Sequence, residues 1–419
     1  MKKLISMLLV LACLTTLLIP AALADGKVEI TFYGQPGKTE SNRQIIAAFE
    51  AQYPNIKVTH VELAAETDQR LATMSAILQA KDPSMDVFEV DCTWPLMFIS
   101  AGWLADMSDV MSAEEKAEFF DGTIAAGSYE GRQYTLPLYI DMGCLFYRKD
   151  VLEKYGYEVP KTWDELIQTS VEIMQKDPDI TAGFTSAWRQ YEALTCCALE
   201  FIWAAGGDII DADGNVVINS PETVAGIQMM YDMMNTYKIT DPGVMSYNWG
   251  GTRGAFYSGH VLFTRDWQAV IDGANDPKQS NIVGLVGYCP LPVGAAGLNP
   301  NTTGGWHIGV SAYSAHPEEA KLFAKFQAGY EAQKIRAIVD NVFPTRPAVY
   351  EDADILQKIP YLSDLKEIGA NTKGRPVTPY YQEVSSVLQQ GIGGVLTNQF
   401  DAQTAVNQME TQLKEIMSR

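Results

Sequence analysis

Beyond position 25, apolar residues recur along the chain in blocks that switch between a two-residue and a 3.6-residue period. Val28 to Tyr33 reads as a strand, and a Gly- and Pro-rich turn follows it. Ile45, Ile46, Phe49 and Tyr53 then share one face of a helix that Pro54 ends. Next come strand Ile56 to Leu63, a helix through Leu71, Met74, Ile77 and Leu78, and strand Val87 to Val90, which delivers Asp91. Strands alternating with helices predict an α/β lobe on a mostly parallel sheet.

The stretch Tyr129 to Gly156 is denser in signals. Glu130-Gly131 predicts a turn between two short β runs, and Pro137 removes a ladder donor before an apolar strand, Leu138 to Tyr147. That strand carries a single carboxylate, Asp141, in its middle. An ionised group there is costly unless donors surround it, and those donors belong to the protein or to a ligand's hydroxyls. Asp150 and Glu153 predict a capping pair for a short helix that stops at Gly156.

Further on, Thr162 to Glu165 is a capping box, Asp213-Gly214 the turn of a hairpin, and Ser220-Pro221-Glu222 another helix start. Val224, Ile227, Met230 and Met234 form that helix's inner face. The pattern changes near Trp267 and passes through a Pro- and Gly-rich run, Cys289 to Gly305. A helix from His316 to Tyr330 follows, and the chain is mainly helical after Pro344. Without repeats or low-complexity linkers, the chain is expected to cross between two lobes more than once.

Charge and cysteines narrow the function. Lys2-Lys3, the apolar run Leu4 to Ile19 and Ala22-Leu23-Ala24 read as a secretory signal peptide cleaved after Ala24, with lipidation at Cys13 the less favoured alternative. Removing 24 of 419 residues leaves 395, enough for two lobes, and takes the net charge from −20 to −22 by loss of two lysines. So acidic a surface repels nucleic acid and anionic lipid. Cys92, Cys144, Cys196, Cys197 and Cys289 show no framework spacing; Cys196-Cys197 read as small hydrophobes, while a meeting of Cys92 with Cys144 stays open.

Several motifs fail on inspection. Gly37-Lys38-Thr39 resembles a phosphate loop, but the first required glycine falls on Phe32. Asp211 to Asn215 lacks the spacing and closing glutamate of a calcium loop, and Asn301-Thr302-Thr303 is a glycosylation sequon by form only. His60, His260, His307 and His316 have no metal-ligand spacing, and no nucleophile elbow occurs. No cofactor, metal or catalytic residue is therefore expected. Trp94, Trp267 and Trp306 stand apart from these. Each lies in a polar or Gly-rich context near Asp91, Arg265-Asp266 or Gly304-Gly305, which suits stacking on the C–H face of a sugar.

Asp86 to Trp94 with Gly102-Trp103-Leu104, and Tyr129 to Gly156, resemble the extracellular solute-binding proteins of ABC sugar importers, in particular the trehalose/maltose-binding branch. Pro160 to Leu166, Gly304-Gly305-Trp306, His316 to Ala320, Pro344-Thr345-Arg346 and Gly374 to Tyr381 extend the similarity. The resemblance implies a two-lobed α/β fold of the periplasmic-binding-protein kind, with a ligand cleft between lobes joined by crossing segments. It is drawn with residues 25–137 and 268–340 in one lobe and 138–267 and 341–419 in the other. It implies sugar contacts at Glu40, Thr67, Asp91, Asp141, Trp267, Gly305, Trp306 and Arg375. It also implies hinge closure, delivery to a membrane-embedded ABC permease, monomeric action, and a location in the periplasm or on the outer face of the cell membrane. One departure is Ala269, where disaccharide-binding relatives place a tyrosine.

A non-enzymatic sugar receptor is the expected function. An exported glycoside hydrolase competes, because paired carboxylates and aromatic platforms serve that chemistry too. A surface adhesion protein is the third reading, and it predicts no stabilisation by any sugar.

Overall fold

The computed structural model describes residues 26–359, 362, 368, 369 and 371–419. The expected signal peptide, residues 1–24, and Cys13 lie outside them. Among the described residues, no helix is long and apolar enough to cross a membrane.

The first lobe elements follow the sequence closely: β1 (Val28–Gly34), α1 (Thr39–Gln52), β2 (Ile56–Glu62), α2 (Thr67–Gln79) and β3 (Val87–Asp91). β1 pairs in parallel with both β2 and β3. α3 (Pro95–Ser100) opens with its proline at the first turn, where the missing N–H has no helical partner to lose. The Glu130-Gly131 turn is present, both residues having positive φ (48° and 77°), between Ser128–Tyr129 and Arg132–Gln133.

Two long strands link the halves. β4 (Thr135–Arg148) is one unbroken strand, so Pro137 does not bound it as expected. Pro137 lies opposite His307, next to the register shift at Trp306/His307, so its missing donor falls where the ladder is already irregular. α4 (Lys149–Tyr155) also differs from expectation. Asp150 does not cap it; its carboxylate pairs with Arg148 at 2.8 and 2.6 Å, and no side chain caps the helix start. Gly156 does end α4 in the left-handed region, with φ 74°.

α5 (Trp163–Lys176) begins at the Thr162/Glu165 capping box. β5 (Ala182–Thr185), α6 (Glu192–Ala205), α7 (Pro221–Tyr231), α8 (Trp249–Tyr257), β6 (Val261–Trp267), α9 (Val270–Asn275) and β7 (Val286–Cys289) follow. β8 (Asn301–Val310) begins inside the Gly-rich run that sequence alone reads as irregular. α10 (Pro317–Gln327), α11 (Tyr330–Asp340), β9 (Thr372–Lys373), α12 (Tyr381–Leu396) and α13 (Ala402–Met417) complete the order.

The nine strands form one sheet in the order β2-β1-β3-β8-β4-β6-β5, with β9 on β8 and β7 on β4. β8 runs antiparallel to both β3 and β4 and joins the halves. One apolar core gathers residues such as Phe32, Phe49, Val87 and Phe323, and another Trp163, Phe201, Leu262 and Leu388. A third, with Cys144, Phe146, Phe256 and Phe343, lies by the crossing strands. Cys196 and Cys197 are buried within α6. Cys92 and Cys144 do not meet as a disulfide; both are thiols, and burial pushes the Cys92 thiol up to about 12. Asn301 is buried with its amide on the Ile368 carbonyl at 2.8 Å, which leaves its sequon inaccessible to glycosylation.

Candidate functional site

The register of β3, β8 and β4 sets the site. Trp306 lies opposite Asp91 on one side and Tyr139 on the other, and Gly304 lies opposite Asp141. Cross-strand partners share a face, so Trp306 and Asp141 belong to one side of the crossing strands and Ile140 and Met142 to the other. A Cβ on Gly304 would stand 3.1 Å from both the Asp141 Cβ and the Trp267 ring. Glycine is what lets that indole lie across the strand beside the carboxylate. Gly305, with φ 131°, absorbs the irregularity next to the bulge; a Cβ there would meet the Tyr139 carbonyl at 2.5 Å.

Asp141 is only partly exposed, and its Oδ1 accepts from Gln268 Nε2 at 2.5 Å. Burial raises its pKa; Lys38, the Gln268 bond and Arg253 pull the other way. Trp267 stands above a buried pair. The Arg265 guanidinium sits 4.3 Å from the indole centroid and is held by Glu200 at 2.7 and 2.5 Å. Trp249 meets Trp267 edge-on at 5.5 Å, and Arg253, one turn further along α8, grips Asp266 with two bonds of 3.1 and 2.8 Å. The result is a braced aromatic plane next to an acceptor with one neutral donor.

Trp306 is buried, with Trp94 edge-on at 5.6 Å and the Arg70 guanidinium 4.4 Å from its centroid. Arg70 Nη2 donates to Thr67 Oγ1 at 3.1 Å, Nη1 reaches Gln35 at 3.4 Å, and Nε has no partner. Thr67 is thus tied to Trp306 through Arg70. Trp94, expected to be a platform, is 1 % exposed and packs on Phe98, so it belongs to the core.

Asp91 and Arg375 meet directly. Arg375 Nη2 donates to Asp91 Oδ1 at 3.1 Å, and Nη1 to Glu192 Oε1 at 2.6 Å. Thr93 N and Oγ1 also bind Asp91 Oδ1, at 3.0 and 2.8 Å, while Tyr381 and Ser385 donate to Glu192 at 2.5 and 2.6 Å. Both ends of the guanidinium are therefore committed to carboxylates. Glu40 is separate from the others. It is exposed in the first turn of α1, where Arg43 and Gln44 hold its carboxyl down to about 2.

Sequence reasoning missed Lys38, Arg70, Gly304, Trp249, Arg253 and Gln268. Lys38 is in the turn after β1, with its Nζ 5.4 Å from the Tyr139 ring centroid. Arg70 follows Thr67 by three positions, and Trp249 precedes Arg253 by four, spacings that put each pair on one helix face. Those spacings were readable; their convergence on the crossing strands was not. α2 also reaches across the opening, through Glu66 to Arg189 at 2.5 Å.

A groove of about 1260 Å³ lies on the opposite side, walled by Ile99, Ile140, Met142, Phe343 and Leu362, with Gly305 and Arg375 at its edge. It offers few polar groups. Sugars need convergent donors and acceptors beside a flat apolar ring. The Asp141–Trp267 face has these, and we take it as the candidate site.

Residues 35–334 match the family described as bacterial extracellular solute-binding protein. A Deinococcus radiodurans protein named "Probable ABC transporter-binding protein" is 32% identical over 367 residues, 86% of each chain. The solved structure of maltose-bound T. maritima MalE3 is 35% identical with a TM-score of 0.87, covering 93% of this chain and all (100%) of that one. The GacH receptor of Streptomyces glaucescens, at 22% identity and a TM-score of 0.84, covers 94% of this chain and 99% of its own, and shares the two-lobed fold. The chain belongs to the bacterial extracellular solute-binding protein family, with the two-lobed α/β architecture of periplasmic sugar-binding proteins.

Proposed function

We propose that this protein captures a di- or oligosaccharide of the maltose or trehalose kind outside the cytoplasm and delivers it to the permease of an ABC importer. The observation that carries the reading is Asp141. It is a partly exposed carboxylate on a crossing strand with one neutral hydrogen-bond donor, beside the braced Trp267 ring. The similarity to a maltose-bound relative supports the sugar class, and a P. aeruginosa mannitol-binding protein, 22% identical over 352 residues, keeps polyols in the test panel.

In this reading the hydroxyls of the sugar donate to Asp141 and its C–H face stacks on Trp267. Arg70 and Lys38 donate from the first lobe. Glu40 and Thr67 flank the mouth, Gly305 and Trp306 shape the floor, and Arg375 fixes Asp91. Each charged hydrogen bond contributes about 1.5–3 kcal/mol. The separate cores around Phe49 and Trp163 support two lobes, drawn from the resemblance as 25–137 with 268–340 and 138–267 with 341–419. Val270, Ile271 and Ala274 pack with Phe146 and Phe256, and Val286–Cys289 pairs with β4, which moves residues 268–289 to the second lobe. A ligand touching both lobes shifts the open–closed balance toward closure. Ala269 precedes α9 and puts a methyl group where disaccharide-binding relatives place a tyrosine. The protein acts as a monomer, exported by its signal peptide.

A thermal-shift screen over maltose, trehalose, longer α-glucans and mannitol tests this. A saccharide that raises Tm in wild type and not in Asp141→Ala supports the proposal. No shift with any sugar overturns it, as does release of reducing sugar on incubation, which makes the protein a hydrolase.

A further inference from the structure

We infer that Gln268 is a positioning residue that holds the Asp141 carboxylate in its ligand-accepting orientation. The sheet has a gap beside Asp141. On the edge of β4 away from β8, the Ile140 N–H donates to the Phe343 carbonyl at 2.9 Å, and the β6 ladder takes over at Gly143, opposite Trp267. Between those two points, at Asp141 and Met142, no neighbouring strand pairs with that edge among the described residues.

The Gln268 side chain fills the gap. It is 0 % exposed. Its Oε1 accepts from Met142 N at 3.3 Å and its Nε2 reaches the Ile140 carbonyl at 3.5 Å, so the amide stands where a partner strand's peptide would. The same Nε2 donates to Asp141 Oδ1 at 2.5 Å. One side chain therefore braces the peptide groups on both sides of Asp141 and occupies one of its two oxygens. Because the donor is neutral, the carboxylate keeps its full charge, and Oδ2 is left for a ligand. An arginine in that place would supply a second charge and satisfy both oxygens, as happens at Asp266.

Other charged or titratable groups facing Asp141 are Lys38 from the turn after β1, Arg253 from α8, and Asp91, Cys92 and Tyr139 from β3 and its end and from β4. The Gln268 amide hydrogen-bonds none of these groups, so a change in Asp141 titration reports the amide itself.

The inference rests on the proposed sugar site, and the experiment separates the two. Carbon-13 carboxylate titration of wild type and Gln268→Leu, without ligand, measures the Asp141 pKa. Loss of a donor to the ionised form predicts a further rise. Maltose titration of the same proteins predicts at least about tenfold weaker binding in Gln268→Leu, by the loss of acceptor geometry. In Gln268→Glu the new carboxyl donates to an ionised Asp141 only while the pair holds one proton, so maltose binding passes through a maximum and is lost as pH rises further, where wild type keeps it. An Asp141 pKa unmoved in Gln268→Leu, or a Gln268→Glu pH profile equal to wild type, overturns the positioning role. Failure of wild type to bind any sugar overturns the proposed function instead and leaves the pKa comparison to decide the role of Gln268.

Discussion

The two carboxylates on this side of the crossing strands are held in opposite ways. Asp91 receives Thr93 twice and the Arg375 guanidinium, whose other end is saturated by Glu192 with Tyr381 and Ser385 behind it. Asp141, two strands away, receives a single amide, and its nearest cations, Lys38 and Arg253, make no hydrogen bond to it. A buried carboxylate paired with a guanidinium ties elements together, because removing one partner leaves the other charge uncompensated. One held by a single neutral amide at a cleft has capacity left for something the chain does not supply. Identical residue chemistry thus separates into a structural knot and the acceptor of the proposed binding shelf.

The largest effect is expected at Arg375. Arg375→Met leaves Asp91 and Glu192 buried without their cation, and a loss of about 3–5 kcal/mol is expected in urea unfolding. A loss below about 1 kcal/mol would show that the knot is not structural.

Asp141→Ala is the mirror image. It should leave urea stability within about 1 kcal/mol of wild type and weaken maltose binding by about 10- to 100-fold, the worth of one charged hydrogen bond. Titration calorimetry reads this, and a large stability loss with intact affinity would reverse the roles of the two acids.

The pH dependence sharpens the contrast. Burial raises the Asp141 pKa above its unfolded value, so the native state binds the extra proton between the two. Its contribution to stability is greatest at acid pH and is lost as pH rises through the folded pKa. Sugar capture needs the ionised acceptor and strengthens over the same rise. Asp68, Glu192 and Asp272 are also raised by burial, so the effect is read as the difference between wild type and Asp141→Asn, which should flatten both curves in that window. Parallel curves would remove Asp141 from the account.

The smallest effect belongs to the contact from α2 to the loop before α6. The Glu66–Arg189 pair, with side chains 28% and 33% exposed, contributes less than about 1 kcal/mol. Glu66→Gln should weaken maltose binding by fivefold or less, with the difference vanishing in high salt. A loss that persists in high salt would mean that the pair does more than favour closure.

Local chemistry made much of the fold readable. The 3.6-residue spacing of Ile45, Phe49 and their neighbours, the Thr162/Glu165 box and the Asp213-Gly214 turn each act within a few residues, and all stand where expected. Pro137 and Asp150 were misread because long-range partners decide them. A bulge at Leu138 in β4 itself, opposite Trp306/His307, accommodates the proline, and Arg148, held also by the Gly259 carbonyl, takes the aspartate from its capping role. β8 itself was hidden, since Thr303, Gly304 and Gly305 have loop-like composition and become strand only between β3 and β4.

The site divides in the same manner. Asp91, Asp141, Trp267 and Trp306 were legible as polar or aromatic residues in unusual settings. Gln268 was not, because an amide after a tryptophan carries no signal until the gap in the edge of β4 is seen. The resemblance suggested a sugar contact for Arg375, but its partners lie 183 and 284 positions away in sequence.

The most direct test of the central claim is calorimetric titration of maltose into wild type and Asp141→Asn at neutral pH, with the unfolding midpoint of each measured alongside. The account predicts saturable binding by wild type, weakened by at least tenfold in Asp141→Asn, with unfolding midpoints that nearly coincide. Equal affinity in the two proteins would contradict it.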